Sequence, residues 1–252
     1  MSLNPQQRDI LEHVFRYRLT TPQVLADCPR ISLSTLPIAK DALQELEQGG
    51  WLQMGRLTPH AESSPFFYLT PRAATELGQD EIMAKEPSRE MRIEAFAIAR
   101  FCCCGDSFRE LFTKQEFVER FASIWYPGQP VRYYLEPTPS GDVRLAFLKV
   151  DKGGPSRWDR IIESCQRFMA KRTTSSQTNP QFQPHVEEFR NLVESGRFQI
   201  SLLTSLPEKR DAILQALDVL ETSHGVRPPI VPYVIDGLFD VIHPRRDETP
   251  GA

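Results

Sequence analysis

The sequence predicts an α+β / α/β protein of two domains, an N-terminal winged helix-turn-helix followed by a mixed-sheet α/β domain. Three observations carry this. Residues 4–77 run as three helical patterns and then two short extended segments. A polar stretch, Gly78 to Ser88, then interrupts the apolar periodicity. Beyond it, Pro130 to Lys152 reads as a β-hairpin, and alternating helices and apolar strands follow. That alternation is the pattern of a mixed sheet with helices on both faces.

In the first domain, Asn4 caps a helix with Pro5 at its first position, and Ile10, Leu11, Val14 and Phe15 recur at helical spacing. Thr21 and Pro22 open a second short helix that stops before Cys28-Pro29. A third starts near Ser34 and runs to Gln48, with Leu36, Ala39, Leu43 and Leu46 as its buried stripe and Gly49-Gly50 as its stop. Extended runs at Trp51 to Leu57 and Phe66 to Leu69 flank a polar loop, and Pro71 to Leu77 closes the unit as a short helix. Such a fold places its third helix in the major groove by the N-terminal residues. The outward positions there include Ser34, Thr35, Ile38, Lys40, Asp41 and Gln44. Arg30 from the turn and Arg56 or His60 from the wing are the expected phosphate partners. The DNA-binding set is therefore Arg30, Ser34, Thr35, Lys40, Gln44 and Arg56.

Composition bounds the function. The chain has 252 residues, 40% apolar and 25% charged, the balance of a globular protein. A net charge of −3 means that nucleic-acid binding requires a local patch rather than a basic average. No apolar run has the length of a membrane span, and MSLNPQQRD lacks a signal-peptide core. Five cysteines, an odd number without paired spacing, point to reduced thiols in a cytoplasm. Cys102-Cys103-Cys104 is not expected to be a metal site, because three adjacent residues cannot all point at one tetrahedral ion. The five histidines show no ligand spacing either. No cofactor and no metal are expected.

The second domain opens with a mostly apolar helix, Arg89 to Cys104, and a short one, Lys114 to Phe121. The hairpin arms are Val131 to Leu135 and Val143 to Val150, joined by a turn dense in Pro, Ser, Gly and Asp. Helices follow at Trp158 to Lys171, His185 to Glu194 and Pro207 to Leu220. Apolar strands follow at Phe198 to Thr204 and Ile230 to Ile235, the last continued by a short extension at Leu238 to Ile242. The expected divisions are 1–78, a linker 79–88, 89–243, and a disordered tail 244–252.

The runs Leu19-Thr-Thr-Pro-Gln-Val-Leu25 and Phe67-Tyr-Leu-Thr-Pro-Arg-Ala73, with Leu77-Gly78, resemble the replication-relaxation family of bacterial plasmids and mobile elements. Pro130-Val131 and Phe147-Leu-Lys-Val-Asp-Lys-Gly153 extend the resemblance into the second domain. It implies a winged helix joined to a domain similar to the restriction-endonuclease, PD-(D/E)xK, fold. Two positions depart from the family pattern. Val131 follows Pro130 where the family often has aspartate, and Lys149 stands where it usually has glutamate, ahead of Asp151. A hydrolytic site of this type needs at least two carboxylates for Mg²⁺. The second domain is accordingly expected to be a degenerate nuclease fold without catalysis.

The expected protein is a cytoplasmic binder of double-stranded DNA, acting in regulation or in plasmid or phage replication and transfer. A homodimer, and a protein partner for the second domain, are the further expected associations. Two alternatives stay open. One is a metal-dependent endonuclease using Asp151, Lys149 and a relocated glutamate, Glu163 or Glu136. The other is a protein-docking adaptor.

Overall fold

The computed structural model describes residues 3–31, 33, 35–58, 64–105, 109–138, 141–153, 158–174 and 183–244. The chain packs as two units, Met1–Phe108 together with Asp236–Ala252, and Arg109–Ile235.

The first unit begins with α1 (Pro5–Tyr17). Asn4 and Gln7 exchange side-chain and backbone hydrogen bonds in a capping box, which satisfies two amide groups that the helix itself leaves without partners. Ile10, Leu11 and Val14 are fully buried. The helix ends at Arg18 with φ 72°, a left-handed cap in a residue with a Cβ. Thr20 then exchanges both backbone hydrogen bonds with Phe67, at 3.0 and 2.8 Å. The Thr21 hydroxyl accepts from the Val24 amide and caps α2 (Pro22–Asp27). Helix α3 (Leu36–Gln48) follows, with Thr35 at the cap position and Ala39, Leu43 and Leu46 buried. Strands β1 (Leu52–Arg56) and β2 (Pro65–Leu69) pair antiparallel, and α4 (Pro71–Glu76) closes the series under a Thr70 cap. Three helices and a hairpin thus occur in the expected order.

The stretch expected to separate the domains lies inside this unit. Glu81–Ala84 forms a 3-10 turn against α4 and β2, and Arg18 reaches the Met83 sulfur and, at 3.5 Å, the Ile82 carbonyl. Helix α5 (Arg89–Cys103), capped by Ser88, packs on α1 and α2 and belongs here too. The segment expected to extend the last strand is instead a helix, α10 (Leu238–Ile242). Leu238, Val241 and Ile242 are buried at i, i+3 and i+4, a helical and not an alternating pattern. It packs on α5, and Arg89 Nη2 donates to the Ile242 carbonyl at 2.8 Å.

The second unit carries α6 (Lys114–Arg120), β3 (Tyr133–Pro137), β4 (Val143–Val150), α7 (Trp158–Thr174), α8 (Gln183–Glu194), β5 (Phe198–Thr204), α9 (Pro207–His224) and β6 (Ile230–Val234). The sheet order is β3-β4-β5-β6, the first pair antiparallel and the rest parallel. The first hairpin arm starts later than expected. Tyr133 pairs with Phe147, and Val131 and Lys149 lie beyond that ladder, although the Leu148 amide still donates to the Arg132 carbonyl at 2.8 Å.

The helices of this unit, α6 to α9, share one core with Tyr133, Leu145, Phe147, Phe198, Ile200, Leu202 and Ile230, which is one alternation of the sheet. Two-sided coverage was expected. Handedness gives the reason: both parallel crossovers step the same way along the sheet, and right-handed crossovers that do so lay their helices on the same face. The other alternation is buried and partly polar. There Tyr134 and Ser201 hydroxyls meet at 2.7 Å, and Gln199 donates to Ser201 at 3.1 Å. No described helix is long and apolar enough to cross a membrane.

Candidate functional site

Helix α3 turns Ala39, Leu43 and Leu46 into the core. Its opposite face leaves Thr35, Lys40 and Gln44 exposed. Lys40 and Gln44 are one turn apart, so they share a stripe. Thr35 makes no side-chain capping bond. Arg30 and Arg56 are also exposed, the first just after α2 and the second at the end of β1. Ser34 and His60 lie outside the described residues. Lys40 stands at a groove of about 820 Å³, lined within the same unit also by Thr58, Arg100, Asp236 and Asp240. The potential beside Lys40 is therefore of mixed sign. Asp236 precedes α10 and Asp240 lies in it, a contribution that could not be read from the order of residues.

The end of β4 is built differently from a cation site. Asp151 is 3% exposed and forms an ion pair with Lys209, whose side chain is wholly buried in the first turns of α9. Asp151 Oδ1 accepts from the Gly153 amide at 2.9 Å, and Lys209 Nζ donates to the Gly153 carbonyl at 3.2 Å. The resident cation here is an ammonium. Lys149 is half-buried, precedes Asp151 with Val150 between them, and lies on the same side as Cys165. The two other acids proposed for a relocated site are engaged elsewhere. Glu163 is exposed and pairs with Arg167 at 3.7 Å. Glu136 takes the Arg109 guanidinium at 2.8 and 3.3 Å. Glu136 sits opposite Arg144, near the start of β4, while Asp151 follows its end. At strand rise, those two positions are about 20 Å apart. One ion with oxygen ligands at about 2.0–2.6 Å cannot span that distance.

Comparison with family models, with curated proteins and with solved structures found no match to the chain.

A third grouping joins residues that are remote in sequence. His13 of α1, Cys28 after α2 and Cys103 at the end of α5 are buried, and their ligand atoms lie within 4.8 Å of one another. His13 Nε2 is 3.0 Å from Thr20 Oγ1. Its ring stands 4.9 Å from that of Tyr17. The Cys28 thiol is pulled down by its hydrogen bond with Cys103, against its burial and with help from His13, while the same bond and burial push Cys103 up. Burial, with a smaller contribution from the nearby cysteines, pushes Tyr17 up and keeps it a neutral phenol. Of the adjacent cysteines, only Cys103 takes part. Cys104 is beside the Arg100–Asp27 ion pair and is raised to about 12 by burial. The sequence offered no spacing signal for this cluster, because its members come from three separate helices.

Proposed function

We propose that the chain binds double-stranded DNA through its first unit, acting as a winged helix-turn-helix, in regulation or in the replication and transfer of a plasmid or phage. The likeness to the replication-relaxation family in the segments around Leu19 and Phe67 supports this reading. The observation that carries it is the α3 face: Thr35, Lys40 and Gln44 are exposed on a helix whose other side is held in the core. Arg30 and Arg56 supply flanking positive charge for phosphates. So few cations per copy give weak binding, because each phosphate neutralised contributes roughly −0.9 to the slope of log affinity against log salt. A dimer on two half-sites doubles that number.

The second unit we read as a nuclease-like domain without catalysis. The Asp151–Lys209 pair supports this, since a buried ammonium already neutralises the one carboxylate at the expected position. The docking-adaptor reading has its own support in large apolar side chains left exposed in the first unit, among them Ile38 at 46% and Met54 at 52%. Binding to random and genomic duplex at two salt concentrations, with Mg²⁺ present, separates these readings. Salt-dependent binding with intact DNA is expected. No binding at either salt concentration would favour the adaptor, and cleavage abolished by Asp151→Ala would favour the endonuclease.

A further inference from the structure

We propose that His13, Cys28 and Cys103 form a binding site for one zinc-class divalent ion. This site is independent of the DNA-binding reading. The residue types fit: two sulfurs and one imidazole nitrogen are the donors that zinc takes in tetrahedral sites. The spacing fits as well. All three donor atoms lie within 4.8 Å of one another, and sulfurs held at about 2.3 Å from a tetrahedral ion sit about 3.8 Å apart. Rotamer adjustments of an ångström or less close the difference.

The surroundings supply what three ligands lack. Nε2 of His13 is engaged by Thr20 Oγ1, which leaves Nδ1 for the ion and fixes the ring. Zinc-binding histidines use this arrangement, with the second nitrogen hydrogen-bonded to a neighbouring oxygen. A cavity of about 10 Å³ borders His13, Tyr17 and Cys28, room for roughly one water as fourth ligand. Asp9, Glu12, Arg16 and Arg30 line the same cavity, so its rim carries both signs of charge and the affinity for a cation must come from the three ligands themselves. Binding displaces the thiol protons to solvent and leaves two Zn–S bonds and one Zn–N bond. The ligands come from α1, the end of α2 and α5, so the ion would clamp α2, on which α3 packs, to the other two helices.

The full chain, reduced and stripped with a chelator, is titrated with Co²⁺ and then Zn²⁺. The expected result is one Co²⁺ per chain, a sulfur-to-cobalt charge-transfer band, and displacement of Co²⁺ by Zn²⁺. Cys28→Ser and Cys103→Ser should abolish the band, whereas Cys104→Ser and Cys165→Ser should keep it. Thr20→Val, which leaves all three ligands in place, should lower affinity about 10–100-fold. The wild-type spectrum decides the matter even if the serine variants misfold. Folded, reduced wild type without the band overturns the proposal, as does a band that survives Cys28→Ser. A Cys28–Cys103 disulfide forming in air, in protein that takes up no Co²⁺ once reduced, also overturns it and makes the pair a redox couple.

Discussion

Gly55 has no room for a side chain. It pairs with Phe66 across the β1–β2 ladder, and a Cβ built there would stand 2.5 Å from the Phe66 ring. Phe66 is fully buried and cannot swing away. Gly55→Ala should therefore cost about 1–3 kcal/mol, read as a lower denaturant midpoint. Asp151 and Lys209 make a second sharp case. Asp151→Ala strands a buried ammonium and should cost about 3–5 kcal/mol, whereas the double change Asp151→Leu/Lys209→Met should restore most of it. A loss in the double variant equal to the sum of the two single losses would show that the pair is not coupled. Burial raises the Cys165 thiol from 9.0 to about 12, with Lys149 opposing. The folded state thus holds this proton more tightly than the unfolded chain. Its contribution is complete below 9 and is lost as pH rises from 9 through about 12. Denaturant midpoints on either side of 9 should fall less steeply in Cys165→Ala than in wild type. Single residues of this kind divide by what the sequence can carry. Asn4 and Thr21 as caps were legible because their partners lie three residues away. The partner of Asp151 is 58 positions on, and no local pattern announces Lys209.

Helix α3 illustrates how an element can be legible while its setting is not. Its apolar stripe and glycine stop gave its inner face and its end, with the start observed at Leu36 and the cap at Thr35. The groove beside it was hidden, since Asp236 and Asp240 arrive from the far end of the chain. The groove-docking model therefore makes paired predictions. Lys40→Ala and Arg56→Ala should each weaken duplex binding and flatten its salt slope by about one. Thr35→Ala or Gln44→Ala should alter sequence preference more than slope. Asp240→Asn should strengthen binding, because it removes a negative charge from the groove that Lys40 lines. A Lys40→Ala/Arg56→Ala protein that binds duplex like wild type across the salt range would retire the model. Strands were legible where both neighbours bury them: Phe198–Thr204 is buried throughout and was bounded correctly. Helix α10 was misread because five residues hold too little periodicity to separate a helix from an apolar extended run.

The division into units was the least legible feature. A polar composition marked residues 79–88 as a linker, yet Ala84 is buried and Arg18 reaches back to Ile82 and Met83. Composition reports what a segment can expose, and says nothing of which unit its backbone packs on. The one-sided helix layer was decided by strand order, which a single sequence does not print. Asp151 at the end of β4 is neutralised by a partner from within its own unit.

The first unit is assembled from both ends of the chain, and this orders its birth on the ribosome. Helix α5 is complete at Cys103, but α10 follows only about 140 residues later. At roughly 5–20 residues per second, α5 waits on the order of ten to thirty seconds for that cover. During that interval the Arg89 guanidinium lacks the Ile242 carbonyl, and Phe96, which lies beside Gly237 in the finished unit, has no such neighbour. The nascent first unit is thus an open vessel whose cover is made after the whole second unit. A stop codon in place of Asp236 should leave a chain whose α5 is cut by protease far faster than in the full protein. Supplying the missing helix as a separate peptide at high concentration should slow that cutting.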